Sequence, residues 1–302
     1  MNERALTFGE AHHLVGILGE PDPARAAPEK PGVIFLNSGI LHRVGASRIN
    51  VKLARKLSGL GYPTFRFDHA GIGDSDVRRD DRSFLESAIH ETRTAMDLVQ
   101  ERKGVDRFIL AGLCSGADMA YWVALEDERV VGLVQLDPFV YRTRKAMLRH
   151  YLPRLVSPAA WLRSIRARVR HLRGRLREWG GKETAEASCW VAPEYTRIFP
   201  PREELAHGLG RMRERGVAFW VFITGGVGEI VNYPEQYAES FTDVAFGDAL
   251  LVDFAPEADH TVTGLAHQDR VMTGVAEWVE GRWGRVEPTL RPVPETEEAG
   301  AG

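Results

Sequence analysis

Five residues in the middle of the chain, Gly112-Leu113-Cys114-Ser115-Gly116, constrain the fold more than any other feature. They follow a short apolar run, Phe108 to Ala111, and precede a segment of helical character, Ala117 to Leu125. A short apolar run broken sharply by glycine reads as a buried strand. A strand that becomes a helix within five residues is a junction found where helices cover a parallel sheet.

The rest of the chain repeats the theme. Leu14–Leu18, Val33–Leu36, Thr64–Phe67, Val130–Leu136, Phe219–Ile223 and Leu250–Phe254 read as strands. Between them, Ser47–Leu60 carries Ile49, Leu53, Leu57 and Leu60 on one helical face, and Gly61 stops it. Phe84–Val99 and Val271–Val279 read as further helices. The alternation predicts an α/β fold with a mostly parallel sheet covered by helices on both faces. Residues 140–205 interrupt the rhythm and are expected to form a helical cap. Residues 1–139 and 206–284 then make the core, and the Pro-, Glu- and Gly-rich residues 285–302 a disordered tail. A length of 302 residues suits one such domain.

In a strained strand-to-helix turn the residue at the apex is presented outward, and the residues two before and two after it must be small. Gly112 and Gly116 meet that requirement for Cys114. Centring the turn on Ser115 would place Leu113 where a small residue is needed, so the register selects Cys114 as nucleophile. The N-terminus of the following helix favours the thiolate.

Two further segments extend the pattern: Asn37-Ser38-Gly39-Ile40-Leu41-His42-Arg43, and Arg66-Phe67-Asp68-His69-Ala70-Gly71-Ile72-Gly73-Asp74-Ser75. With the turn at Cys114 they resemble the α/β-hydrolase superfamily. The similarity is greatest to the branch of serine aminopeptidase-like hydrolases and of hydrolases encoded beside exosortase systems. The cysteine itself is similar to that of dienelactone hydrolases. The resemblance implies the α/β-hydrolase fold and the chain order nucleophile, acid, histidine. His260, after the last strand, stands where that fold places its general base, and His267 is a poorer fit. For the acid, the family pattern of an Asp about three residues past a glycine points to Glu229 in Gly226-Val227-Gly228-Glu229. Asp137, after the Val130–Leu136 strand, is the alternative, and Asp259 adjoins the histidine. The oxyanion hole would use the backbone N–H of Ser115 and that of Ile40, with Gly39 as the neighbouring choice. His42 and Arg43 flank that loop and are expected at the substrate, His42 having backbone bonding as its other reading. Asp68, Gly71 and Gly73 are expected to shape the loop beside the site.

Charge adds one local feature. The formal net charge is −3, yet Arg142 to Arg177 holds twelve Arg or Lys and no Asp or Glu. Arg163, Arg166, Arg170, Arg173 and Arg177 recur at helical steps. Such a face is either ordinary solvated surface or a dock for an anionic partner: an acyl carrier protein, a coenzyme A thioester or an anionic membrane surface. No nucleic-acid module is visible. Two cysteines, Cys114 and Cys189, are too few for a disulfide framework, and no apolar run reaches membrane-spanning length. A cytoplasmic protein without cofactor or metal is expected. The expected function is hydrolysis of an ester or thioester (a small-molecule acyl substrate) through a Cys114 acyl-enzyme. Passing the acyl group to an amine or hydroxyl, as an acyltransferase does, is the alternative, and a non-catalytic binding protein is the third reading.

Overall fold

The computed structural model describes residues 2–79, 81–155, 197, 199–227 and 230–284. One eight-stranded sheet organises them, in the order β1-β2-β4-β3-β5-β6-β7-β8. The strands are β1 (Glu3–Phe8), β2 (Leu14–Gly19), β3 (Gly32–Phe35), β4 (Thr64–Asp68), β5 (Phe108–Leu113), β6 (Val130–Leu136), β7 (Ala218–Thr224) and β8 (Leu250–Ala255). From β4 to β8 every pairing is parallel, whereas β1–β2 and β2–β4 are antiparallel.

Helices α1 (Ile49–Gly59), α2 (Phe84–Lys103), α3 (Ser115–Glu126), α4 (Arg144–Leu155), α5 (Arg202–Glu214), α6 (Gln236–Ser240) and α7 (Leu265–Trp283) connect the strands. Side chains alternate across the sheet, so each central strand feeds two cores. Phe108 and Leu110 of β5 join Met96 and Val99 of α2, Val123 of α3 and Leu209 of α5. Ile109 and Ala111 face the other way, toward Leu53 of α1 and Val271 and Trp278 of α7. Strands buried on both sides read as continuous apolar runs, which is why they were legible. β1 escaped the sequence reading because it is an edge strand, and most of its residues are at least partly exposed.

The 205/206 boundary expected between cap and core falls inside α5. Leu205, Leu209 and Met212 pack into the core beneath Phe219 and Val221, so this helix covers the sheet from its first turn. Of residues 140–205, the structure describes 140–155, 197 and 199–205; the rest of the expected cap and the expected tail at 285–302 lie outside the described residues. In the described part of the basic stretch, Lys145 pairs with Glu239 at 2.8 Å and lies over the ring of Tyr233. An acid distant in sequence thus offsets one cation of the basic run. The series Arg163, Arg166, Arg170, Arg173 and Arg177 lies outside the described residues. No helix among the described residues is long and apolar enough to cross a membrane.

Candidate active site

The turn after β5 has the strained geometry its glycines suggest. Cys114 sits at φ 55° and ψ −119°, a conformation that costs a non-glycine residue of order 1–3 kcal/mol. Two bonds fix it: Cys114 N–H donates to Leu136 O at 2.8 Å, and Asp118 N–H donates to Cys114 O at 3.1 Å. A Cβ on Gly112 would collide with the backbone of Gly116, and one on Gly116 would come within 2.5 Å of Asn37 O. Neither obstacle is a flexible side chain. Gly116→Ala is therefore expected to destabilise the protein by about 1–3 kcal/mol, the usual cost of overpacking. A thermal melt indistinguishable from the parent protein would contradict this account of the turn.

Sheet order brings the partners together. β6 lies between β5 and β7, with Leu113 paired to Leu136 and Leu136 to Phe222. The residue after β6 therefore emerges beside the Cys114 turn. That residue is Asp137, at φ 48° and with its side chain fully buried. Its Oδ1 accepts from Thr224 N–H at 2.8 Å, and its Oδ2 accepts from the Thr224 hydroxyl at 2.7 Å. His260 Nδ1 lies 2.6 Å from the same Oδ2. With Nδ1 so placed, Nε2 is the nitrogen left to serve Cys114, and the two side chains act on each other's ionisation.

His260 follows β8, two strands from Asp137, so its loop must cross the end of β7. Gly225 and Gly226 permit that crossing. Gly225 N–H donates to Ala258 O at 2.9 Å, and a Cβ on Gly226 would sit 2.7 Å from His260 backbone nitrogen. These glycines suggested an acid three residues further on; here their work is close backbone approach. Glu229 lies outside the described residues, and the carboxylate bonded to His260 is Asp137, the alternative in the sequence reading. Asp259 turns away, accepting from Thr261 and Thr263, while His267 faces Glu257 at 3.9 Å.

Charge in the site is coupled. The bonds to Asp137 and Cys114 push His260 up to about 10 against the opposing effect of burial. Burial pushes the Cys114 thiol up, but the bond to His260 and the nearby Arg197 and His260 charges outweigh it and hold the thiol below its ordinary value. Both directions favour a thiolate–imidazolium pair over a neutral thiol and imidazole.

The expected oxyanion loop follows β3. Asn37 anchors it: its side-chain amide donates to Leu41 O at 2.9 Å, and its Oδ1 accepts from His69 N–H at 2.9 Å. Gly39 N–H is committed, donating to the Ser115 hydroxyl at 2.7 Å, so the Gly39 option is closed in this arrangement. Ser115 begins α3, where N–H groups precede the helix's own hydrogen bonds. Ile40 is largely exposed beside it.

Arg43, expected at the substrate, is engaged within the protein. Its guanidinium pairs with Asp68 and with Asp74, and its backbone N–H also donates to Asp68, so it stabilises the loop after β4. Gly73 is required there because a Cβ would strike the Asp68 carboxylate. His42 is exposed, and its carbonyl accepts from Gly45 N–H at 2.9 Å. Sequence reasoning missed Thr224 and Asn37, which orient Asp137 and the oxyanion loop. A threonine ending the otherwise apolar β7 was the available signal for the first.

Comparisons with known proteins agree with this architecture. The α/β hydrolase GrgF of Penicillium sp. sh18 superposes with a TM-score of 0.57 at 14% identity, covering 94% of this chain and 100% of that one. An esterase of Pyrococcus furiosus gives 0.56 at 15% identity, with 93% and 90% covered. An α/β serine hydrolase without lid from Xanthomonas campestris gives 0.53 at 15%, with 95% and 97% covered. At such identities these likenesses establish the fold. In sequence, "Putative hydrolase YtaP" of Bacillus subtilis (strain 168) is 30% identical over a 139-residue alignment that covers 39% of this chain. The matched stretch spans 46%, less than half, of that relative. The family model for serine aminopeptidase S33 (Hydrolase_4) matches residues 29–186. By that match and its α/β-hydrolase fold, the chain belongs to the serine aminopeptidase S33 family of α/β hydrolases.

Proposed function

We propose that the protein is an acyl-group hydrolase that works through a Cys114 thioester intermediate, with His260 as acid and base and Asp137 as the carboxylate orienting it. The observation carrying this reading is the buried Asp137 carboxylate bonded to His260 Nδ1 at 2.6 Å, beside the turn where His260 holds the Cys114 thiol below its ordinary value. The thiolate attacks the substrate carbonyl, and the oxygen that becomes anionic meets the N–H groups of Ser115 and Ile40. Imidazolium Nε2–H protonates the departing alkoxide or thiolate as the carbon–leaving-group bond breaks. His260, now neutral, takes a proton from water, whose oxygen attacks the thioester. The carboxylic acid leaves and the thiolate returns. Esters and thioesters suit this centre, because their leaving groups accept the single proton that His260 holds.

A thioester on Cys114 also reacts with amines, so transfer to an amine or hydroxyl is the second outcome of the same chemistry. An acyl carrier protein or coenzyme A thioester as donor remains part of this proposal. The test is intact-protein mass spectrometry after incubation with a panel of acyl esters and thioesters. A mass increase equal to the acyl group, mapped to the Cys114 peptide and discharged by water, supports hydrolysis. Faster discharge by added amine, with amide as product, supports transfer. A protein that is acylated by no member of the panel would support a non-catalytic binding role.

Ser115 gives a finer check. Its hydroxyl accepts from Gly39 N–H and so helps hold the oxyanion loop. Ser115→Ala should keep acylation at Cys114 while lowering kcat/KM roughly fivefold, the equivalent of one ordinary hydrogen bond of about 1 kcal/mol. Complete loss of acylation in Ser115→Ala would overturn the register that makes Cys114 the nucleophile.

A further inference from the structure

Asp118 lies one helical turn beyond Cys114, and its N–H bonds to Cys114 O. Its carboxylate is buried, which is costly for a charge without a partner. The partner arrives from far along the chain. Arg197 Nε pairs with one oxygen of Asp118, and Nη2 donates to the other at 2.8 Å. The same Nη2 donates to the backbone carbonyl of Asp137 at 3.1 Å. The guanidinium also lies 5.1 Å from the Phe139 ring centre and 4.8 Å from that of Phe199, so both its plane and its edge are held. One side chain thus ties the helix that carries the nucleophile to the residue that carries the acid.

We propose that Arg197 and Asp118 are a positioning pair that locks the first turn of α3 to the Asp137 loop and sets how readily Cys114 ionises. The two members act on the thiol with opposite signs. Arg197 favours the thiolate by its positive charge, and Asp118 disfavours it. Among the described residues, the other charged group acting on the thiol is His260, which belongs to the reacting pair itself. Among the described residues, the charge of Asp118 also opposes ionisation of the Tyr141 and Tyr237 phenols. Burial raises Asp118 to about 6 despite Arg197, so loss of the guanidinium would leave this carboxyl still more prone to protonate.

The proposal rests on Cys114 as the reacting thiol only for its consequence in turnover. Its test therefore reads ionisation directly: the rate of iodoacetamide alkylation at the Cys114 peptide across pH, resolved by mass spectrometry from Cys189. In Arg197→Met the midpoint should rise by about one pH unit, so that alkylation at a pH below the midpoint slows about tenfold. Arg197→Lys should recover part of that shift, keeping the charge without the two-pronged geometry. Asp118→Asn should move the midpoint down. Opposite shifts from the two members of one ion pair are the signature sought, since a merely structural pair would disturb the site in the same sense from either side. If Arg197→Met does not fold, Arg197→Lys and Asp118→Asn still decide the matter. An unchanged or raised midpoint in folded Asp118→Asn, or an unchanged one in folded Arg197→Met, overturns the proposal.

Discussion

Replacing Cys114 with alanine should abolish acylation and lower turnover by about 10⁴-fold or more, as removal of a nucleophile does where catalytic groups act as a unit. Ser115, the adjacent hydroxyl, cannot take over, because it stands at the first helical position and accepts from Gly39 N–H, facing the oxyanion loop. Stability should change little or improve, since alanine keeps the Cβ and removes a thiol held in a strained turn. Measured together, acyl labelling, turnover and the thermal melt separate loss of chemistry from loss of fold. Full labelling of Cys114→Ala by an acyl probe would remove Cys114 from the mechanism.

Asp137→Asn should lower kcat by about 10²–10⁴-fold at nearly constant KM. The variant amide can still serve Thr224: its oxygen replaces Oδ1 as acceptor for the Thr224 N–H, and its NH2 can donate to the Thr224 hydroxyl oxygen. At His260, however, the amide NH2 would meet Nδ1 where a carboxylate oxygen now lies. Nδ1 must then accept, which puts the imidazole proton on Nε2 and leaves no basic nitrogen facing the thiol. The raised proton affinity of His260 falls with the lost carboxylate, because Asp137 is the first cause of that rise. The pH profile reports this. The imidazolium–thiolate form, present between the lowered thiol value and about 10 in the parent protein, should shrink from its alkaline side. Glu229→Gln should leave kcat within a few-fold. A severe loss in Glu229→Gln together with a near-normal Asp137→Asn would reverse the assignment of the acid.

The elements that organise this molecule were readable from the chain because their signals are local. Buried parallel strands are short and apolar throughout, helices carry a repeating face, and a turn with no room for side chains requires glycine at Gly112 and Gly116. The register of those two glycines alone singles out Cys114 over Ser115, and the loop after the last strand marks His260. Tertiary structure decided what depends on strand order. Nothing near residue 137 in sequence says that β6 lies between β5 and β7, yet that order sets Asp137 beside Cys114 and under His260. The glycines after β7 gave a spacing that suggested Glu229, whereas their physical role is to let the His260 loop pass. Arg43 illustrates the same limit: position beside the oxyanion loop suggested substrate, while only the fold pairs it with Asp68 at the end of β4 and Asp74 in the loop that follows. Arg197 had no local signal at all. It reaches Asp118, 79 residues earlier, only because the folded chain brings a buried carboxylate and a distant guanidinium to one place, where each offsets part of the other's cost of burial.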